Sequence, residues 1–325
     1  MLLPAEKIFE LMNEFGSKSQ PFLFGIDFEV KKGFLMDPAK APDLGIYFNI
    51  NGFSNNHSFQ SENRTVKMIK HPVEPSEYNR SFETVYRNLI KGNSYLTNLT
   101  FPTAIDLNIS LQDVFIRSKA RYRLLFRDEF VVFSPEIFVQ VDNGEIRSFP
   151  MKGTIDASLP DAERQILADP KETAEHNTIV DLIRNDLNMV ASNVKVDRFR
   201  YIEKIDTHEK SLLQVSSEIS GKLSGNYQAN LGNIFRKLLP AGSVSGAPKL
   251  KTLQIIHEAE TYSRGFYTGV FGYFNGSELD SGVMIRFIKK ENNKLIFCSG
   301  GGITANSNPI TEYNELIDKI YVPII

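Results

Sequence analysis

The strongest constraint on the fold is a series of short runs rich in β-branched and aromatic residues that follow one another in quick succession. They span residues 94–100, 121–126, 130–133, 138–141 and 145–149. Runs of this length and composition read as strands. Further strands are expected at 23–30, 45–50, 194–202 and 212–223, and three more near the end, one of them covering 282–288. Helices are expected from about Ser76 to Gly92, from 171 to 190, over 228–239 and 248–261, and at the end of the chain. Strands and helices come in clusters and do not alternate strictly. That pattern predicts an α+β fold rather than a doubly wound sheet. Residues 1–75 read as a short N-terminal α/β lead-in packed on the core. With no linker after residue 75, residues 76–325 read as one catalytic domain.

Composition serves mainly to exclude. A net charge of −2 gives no nucleic-acid footprint and no basic membrane face. No apolar run approaches the ~20 residues of a spanning helix. The opening residues, MLLPAEKIFELMNEF, carry acids and no long apolar core, unlike a signal peptide. The single cysteine, Cys298, excludes an intramolecular disulfide and a multi-cysteine metal cluster. A reducing cytoplasm is the expected setting.

Two helices carry paired glutamates. Glu172 and Glu175 begin the stripe continued by Ile179, Leu182 and Ile183, and Glu312 and Glu315 are followed one turn later by Lys319. Four inward-facing carboxylates need compensating charge. Oxygen-only ligands favour Mg²⁺ over zinc. Solvated glutamates at helix N-termini fit the same spacing. Two glycine-rich segments, 240–249 and 299–303, could bring backbone N–H groups to an anion, or could be tight turns. Neither has the spacing of a P-loop or a dinucleotide fingerprint. Arg286, expected on a strand, and Lys319 could pair with carboxylates. Lys152 stands in Pro150-Met-Lys-Gly-Thr154, expected as a loop at the end of a strand. At pH 7 only about 1 in 2,500 ordinary lysines is neutral, so a nucleophilic role would require a lowered pKa.

Taken together and in order, these segments resemble the chorismate-utilising enzymes: anthranilate synthase component I, aminodeoxychorismate synthase component I, and the isochorismate and salicylate synthases. The motifs are GNSYLTNLT (92–100), SPE (134–136), PMKGT (150–154), KETAEHNTIVDLIRNDL (171–187), GSVSGAPK (242–249), RGFYTGVFGY (264–273), MIR (284–286), GGGITANSNP (300–309) and EYNELIDK (312–319). The resemblance implies a large sandwich of sheets and helices with a central cleft. It implies Glu175 and Glu315 as principal Mg²⁺ ligands with Glu172 and Glu312 beside them. Gly153, Thr154, Gly246, Ala247, Tyr267, Arg286, Gly300, Gly301, Gly302 and Lys319 match substrate-contact positions. Lys152 and Glu136 match catalytic ones.

Within that family, PMKGT resembles the aminodeoxychorismate synthases, whose lysine is thought to attack C2 of the chorismate ring; anthranilate synthases usually carry alanine there. The implied activity is conversion of chorismate and ammonia to 4-amino-4-deoxychorismate, the p-aminobenzoate and folate precursor, with a separate glutamine amidotransferase subunit supplying ammonia. Three positions depart from the family pattern: Leu96, where isochorismate-type enzymes carry a lysine, Gln214 in place of a histidine, and Phe287 in place of a threonine. The first 75 residues also lack an LLES-like segment, which lines the tryptophan pocket of anthranilate synthases.

Overall fold

The computed structural model describes residues 2–56, 59, 64–206 and 211–323. Two antiparallel sheets, of ten and nine strands among the described residues, form the framework. This is the α+β sandwich expected from the clustering of strands. The first 75 residues contribute to both sheets. Phe22–Ile26 pairs with Val270–Phe274 in the larger sheet, and Ile46–Ile50 pairs with Tyr122–Phe126 in the smaller. The sheets meet through their aromatic faces. Leu23, Phe34 and Phe271 of one pack with Phe48, Phe126 and Phe287 of the other. Each such ring contributes about 1.5–3 kcal/mol by leaving water. Gly25 makes room for this layer, since a Cβ there would lie 2.4 Å from the Phe34 ring.

Helices cover the outer faces. Ala5–Ser17, Pro170–Asn188 and Leu231–Leu238 bury apolar side chains in a single cluster that includes Phe24 and Ile219 of the larger sheet. Pro75–Ile90, Lys249–Ala259 and Pro309–Asp318 share another cluster with Leu99 and Phe101 of the smaller sheet. Among the described residues no helix is long and apolar enough to cross a membrane.

Two expectations need correction. The strand expected over 282–288 is broken. Leu279–Val283 belongs to the larger sheet and Phe287–Glu291 to the smaller, and Met284–Arg286 carries the chain across. Arg286 makes the turn with φ +53°, outside strand geometry. Four strands, not three, therefore precede the last helix. Likewise Lys152 is not in a loop. It lies on the strand Met151–Asp156, paired with Ser211–Lys222. The register shifts between Met151 and Thr154, and Gly153 has φ +85°. Such a bulge re-aims a side chain without ending the strand.

Candidate active site

A second crossing lies beside the first. Phe130–Ser134 is in the smaller sheet and Ile137–Asp142 in the larger, so Pro135 and Glu136 span the seam. The Glu136 carbonyl accepts a hydrogen bond from Val283 N at 3.1 Å, and Phe133 N donates to the Arg286 carbonyl at 3.0 Å. Backbone bonds thus stitch the crossings together and set Glu136 and Arg286 on one cleft. Lys152 enters it from the larger sheet, and Leu96 and Gly300–Gly302 from the smaller. Gly246, Tyr267 and Lys319 complete the predicted residues on its lining.

The acid-bearing helices start alike. Asp169 caps Pro170–Asn188 by accepting from Glu172 N at 3.0 Å. Asn308 caps Pro309–Asp318 by accepting from Ile310 N and Thr311 N. Each has proline at its first helical position, where the missing N–H costs no bond. These starts direct the glutamates to the cleft edge. Glu175 is 5 % exposed, and its Oε2 lies 2.6 Å from Lys152 Nζ. Glu315 Oε1 lies 2.7 Å from Lys319 Nζ, which also donates to the Gly300 carbonyl at 3.0 Å. Glycine geometry locates the other two acids. A Cβ on Gly301 would stand 3.6 Å from Lys319 Nζ, 3.8 Å from Glu312 Oε2 and 3.9 Å from Glu315 Oε1. A Cβ on Gly153 would meet Glu172 Oε2 at 2.8 Å, so position 153 needs glycine for space as well as for φ. Gly153, Thr154 and Ala247 do not line the cleft. Thr154 is exposed and paired with Gln214, and the Ala247 carbonyl accepts from Tyr95 N.

The protonation states are set by these neighbours. Burial pulls the Lys152 amine down, but Glu175 and, less strongly, Glu315 and Glu172 outweigh it and hold the pKa above the ordinary lysine value. Burial dominates at Lys319 and leaves it below the ordinary value, with Lys152 and Arg286 adding to the effect against Glu315. Burial also raises Glu136, against the opposing influence of its hydrogen bond from Ser243 and of both lysines. Arg286 is fixed by donating to the Lys319 carbonyl at 2.6 Å and by lying 4.6 Å from the Tyr321 ring centre. Burial pushes the Cys298 thiol up to about 12, so it carries no thiolate near neutral pH.

Against known sequences, the profile described as chorismate binding enzyme matches residues 38–324. The chain belongs to the chorismate binding enzyme family. It is 52 % identical over 313 residues to an uncharacterised PabA-like protein of Pasteurella multocida, covering 96 % of this chain and 97 % of that one. It is 31 % identical over 259 residues to aminodeoxychorismate synthase component 1 of Salmonella typhimurium, covering 75 % of this chain and 56 % of the other. It is 36 % identical over 195 residues to anthranilate synthase component 1 of Aquifex aeolicus, covering 57 % and 38 %. In fold it resembles the crystal structure of a 2,3-dihydroxybenzoate-specific isochorismate synthase from Bacillus anthracis. The TM-score is 0.71, with 20 % identity, over 98 % of this chain and 89 % of that one.

In this chorismate binding enzyme the three departures have distinct surroundings. Leu96 lines the cleft, and its Cδ1 would lie 3.0 Å from a Cβ on Gly302. Phe287 joins a ring stack, 5.0 Å from Phe130 and 5.9 Å from Tyr267. Gln214 faces Thr154 and Glu203 in backbone pairing. The cleft also includes residues not singled out from sequence: Asn98, Ser243, Val244, Thr268 and Ser299. Each lies in or beside a quoted motif, which was the only signal available.

The carboxylates suit a hard cation by chemistry, since all four offer oxygen. Among the described residues no three His, Cys, Asp or Glu side chains gather closely enough to hold one. The ammonium groups of Lys152 and Lys319 instead supply positive charge to Glu175 and Glu315. A divalent cation held by these acids would take over part of that compensation.

Proposed function

We propose that this enzyme is an aminodeoxychorismate synthase component I, converting chorismate and ammonia to 4-amino-4-deoxychorismate on the route to p-aminobenzoate and folate. The observation that carries the reading is the place of Lys152. Its Nζ lies on the cleft, 3.7 Å from a Cβ built on Gly302 and 2.6 Å from Glu175 Oε2. An amine presented by a strand bulge can reach a ring carbon through its π face while the glycine floor lets the ring lie close to the backbone. The similarity to aminodeoxychorismate synthase component 1 of Salmonella typhimurium supports the choice.

In the proposed sequence Lys152, whose neighbours hold its pKa above the ordinary value, first loses a proton, for which Glu175 Oε2 at 2.6 Å is the nearest acceptor. The neutral amine then bonds to C2 of chorismate, the ring double bonds shift, and the C4–O bond breaks. Glu136, whose raised pKa favours its protonated form, gives its proton to the departing hydroxyl. Ammonia then bonds to C4, the C2–N bond breaks and returns the lysine, and the new C4 ammonium gives a proton back to Glu136, so that water is the only other product. Arg286 and Lys319 bind anionic groups of the substrate, and Gly300–Gly302 admit the ring closely. Glu175 and Glu315, with Glu172 and Glu312 beside them, would have to draw together from their lysine pairs to hold Mg²⁺, whose charge would serve the ring carboxylate and offset the acids around Lys152. Cys298 is buried with its thiol protonated, so ammonia would come from a separate glutamine amidotransferase subunit.

The identity to anthranilate synthase favours a second reading, anthranilate formation. Lys152 speaks against it. Incubation with chorismate, Mg²⁺ and ammonium separates them. The proposed activity yields 4-amino-4-deoxychorismate by mass. Fluorescent anthranilate as the product would overturn it.

A further inference from the structure

Behind the cleft, and outside its lining, lies a buried ion pair with a full set of partners. Arg264 and Glu260 have side chains 1 % and 2 % exposed, with Nη2 2.6 Å from Oε1. Arg264 Nε donates to Glu260 Oε2 at 2.8 Å, closing a two-point fork, and the guanidinium lies 4.3 Å from the Phe28 ring centre. Its remaining donors reach outward. Nη1 donates to the Val244 carbonyl at 2.8 Å and to Thr268 Oγ1 at 3.3 Å, and Nη2 donates to the Asn98 carbonyl at 2.7 Å. Val244, Thr268 and Asn98 all line the cleft, from three different segments of the chain.

Glu260 extends the reach along the strand that carries Asn98. Its Oε1 accepts from Thr100 N at 2.9 Å and from Thr100 Oγ1 at 2.8 Å. Thr100 pairs with Gly300 across the strands, and its Cγ2 would lie 2.5 Å from a Cβ on Gly300. The glycine floor is therefore registered against a threonine that Glu260 holds.

A buried pair of this kind is a weak source of stability, because desolvation offsets the attraction. Its geometry serves another purpose. We propose that Arg264, backed by Glu260, is a positioning residue that fixes Val244, Thr268, Asn98 and the Gly300 floor at the spacing chorismate requires. The inference rests on the reading of this cleft as the chorismate site. A planar guanidinium can hold two carbonyls and a carboxylate at once, whereas a lysine ammonium cannot reproduce that fork.

The test is steady-state kinetics on full-length Arg264→Lys, Thr100→Val and Thr100→Ser, with wild type alongside. A displacement of about 1 Å in such a site can cost about 100-fold. For Arg264→Lys we expect kcat/KM for chorismate to fall by roughly that factor, with KM rising about tenfold. A merely structural defect lowers the active fraction, and so kcat, but leaves KM unchanged. Thr100→Val removes the hydroxyl's bonds to Glu260 Oε1 and to the Tyr262 hydroxyl, leaves the Thr100 N–H bond to Glu260 in place, and should raise KM about threefold, by the cost of about one net hydrogen bond. Thr100→Ser keeps the hydroxyl and should restore it. Wild-type KM in a folded Arg264→Lys variant overturns the inference. If Arg264→Lys does not fold, equal KM values for Thr100→Val and Thr100→Ser do the same. Wild type that leaves chorismate unconsumed overturns the functional reading instead.

Discussion

The two acid-bearing helices look interchangeable in sequence and differ in what they ask of their lysines. On Pro309–Asp318 the ion pair is local. Lys319 and Glu315 are one turn apart on the same surface, with side chains 31 % and 43 % exposed. Any chain that forms the helix makes this pair. On Pro170–Asn188 the pair is long-range: Glu175 is 5 % exposed, and Lys152 comes from a bulged strand of the larger sheet. That pair exists only when helix, strand and sheet have assembled. The amines respond in opposite directions, Lys152 rising above the ordinary value and Lys319 falling below it. Similar ExxE spacings thus yield one lysine held strongly protonated by a buried acid cluster and another that gives up its proton more readily.

The largest effect should come from removing the long-range lysine. Lys152→Ala should lower formation of the 4-amino product by at least ~10³-fold, because positioned nucleophiles contribute several powers of ten. The same variant should lose the mass added to the Lys152 peptide when wild type is quenched with chorismate and Mg²⁺ in the absence of ammonia. Near wild-type rates would end the distinction between the two lysines. Glu175→Ala and Glu315→Ala should each reduce turnover ~10²-fold or more while the fold persists, since each removes charge that would hold the cation. Full activity of either variant in EDTA would remove the metal assignment.

Cation affinity sharpens the contrast. Lys152→Met leaves a buried carboxylate cluster short of positive charge, and such a loss costs about 3–5 kcal/mol unless another cation compensates. Mn²⁺ binding followed by electron paramagnetic resonance should therefore tighten by at least ~10-fold in Lys152→Met. Lys319→Met, at a half-exposed pair, should change it by less than about threefold. Equal shifts would show that burial does not separate the sites. The smallest expected effect is glutamine use. The purified chain should release no ammonia from glutamine, and hydrolysis detected by glutamate formation would contradict the assignment of Cys298 as a buried, inert thiol.

Most of the framework was legible in the sequence because it follows from local pattern. Runs rich in β-branched and aromatic residues marked the strands, and the helix expected from 171 to 190 is found at Pro170–Asn188. What the pattern concealed lies where the chain changes sheets. Residues 282–288 read as one continuous strand, because nothing in that stretch announces the positive φ of Arg286. The bulge at Gly153 was hidden for the same reason. A Pro–Met–Lys–Gly string suits a loop, and only pairing with Ser211–Lys222 makes it a strand. The Arg264–Glu260 pair was invisible as well. An i, i+4 acid–base pair usually reads as a solvated helix surface, and only the tertiary fold reveals that it is buried.

The floor of the cleft has a further consequence. Gly300–Gly302 sit inside an unbroken ladder in which Leu295 through Ile303 face Ile105 back to Thr97. Amide protons in such a ladder exchange with solvent only when a whole cooperative unit opens. Gly242–Ser245, which brings Ser243 and Val244 to the lining, is a single short turn of helix. In deuterium the glycine run should remain dark long after that turn has exchanged. The strand then stays still beneath the ring that enters and the product that leaves.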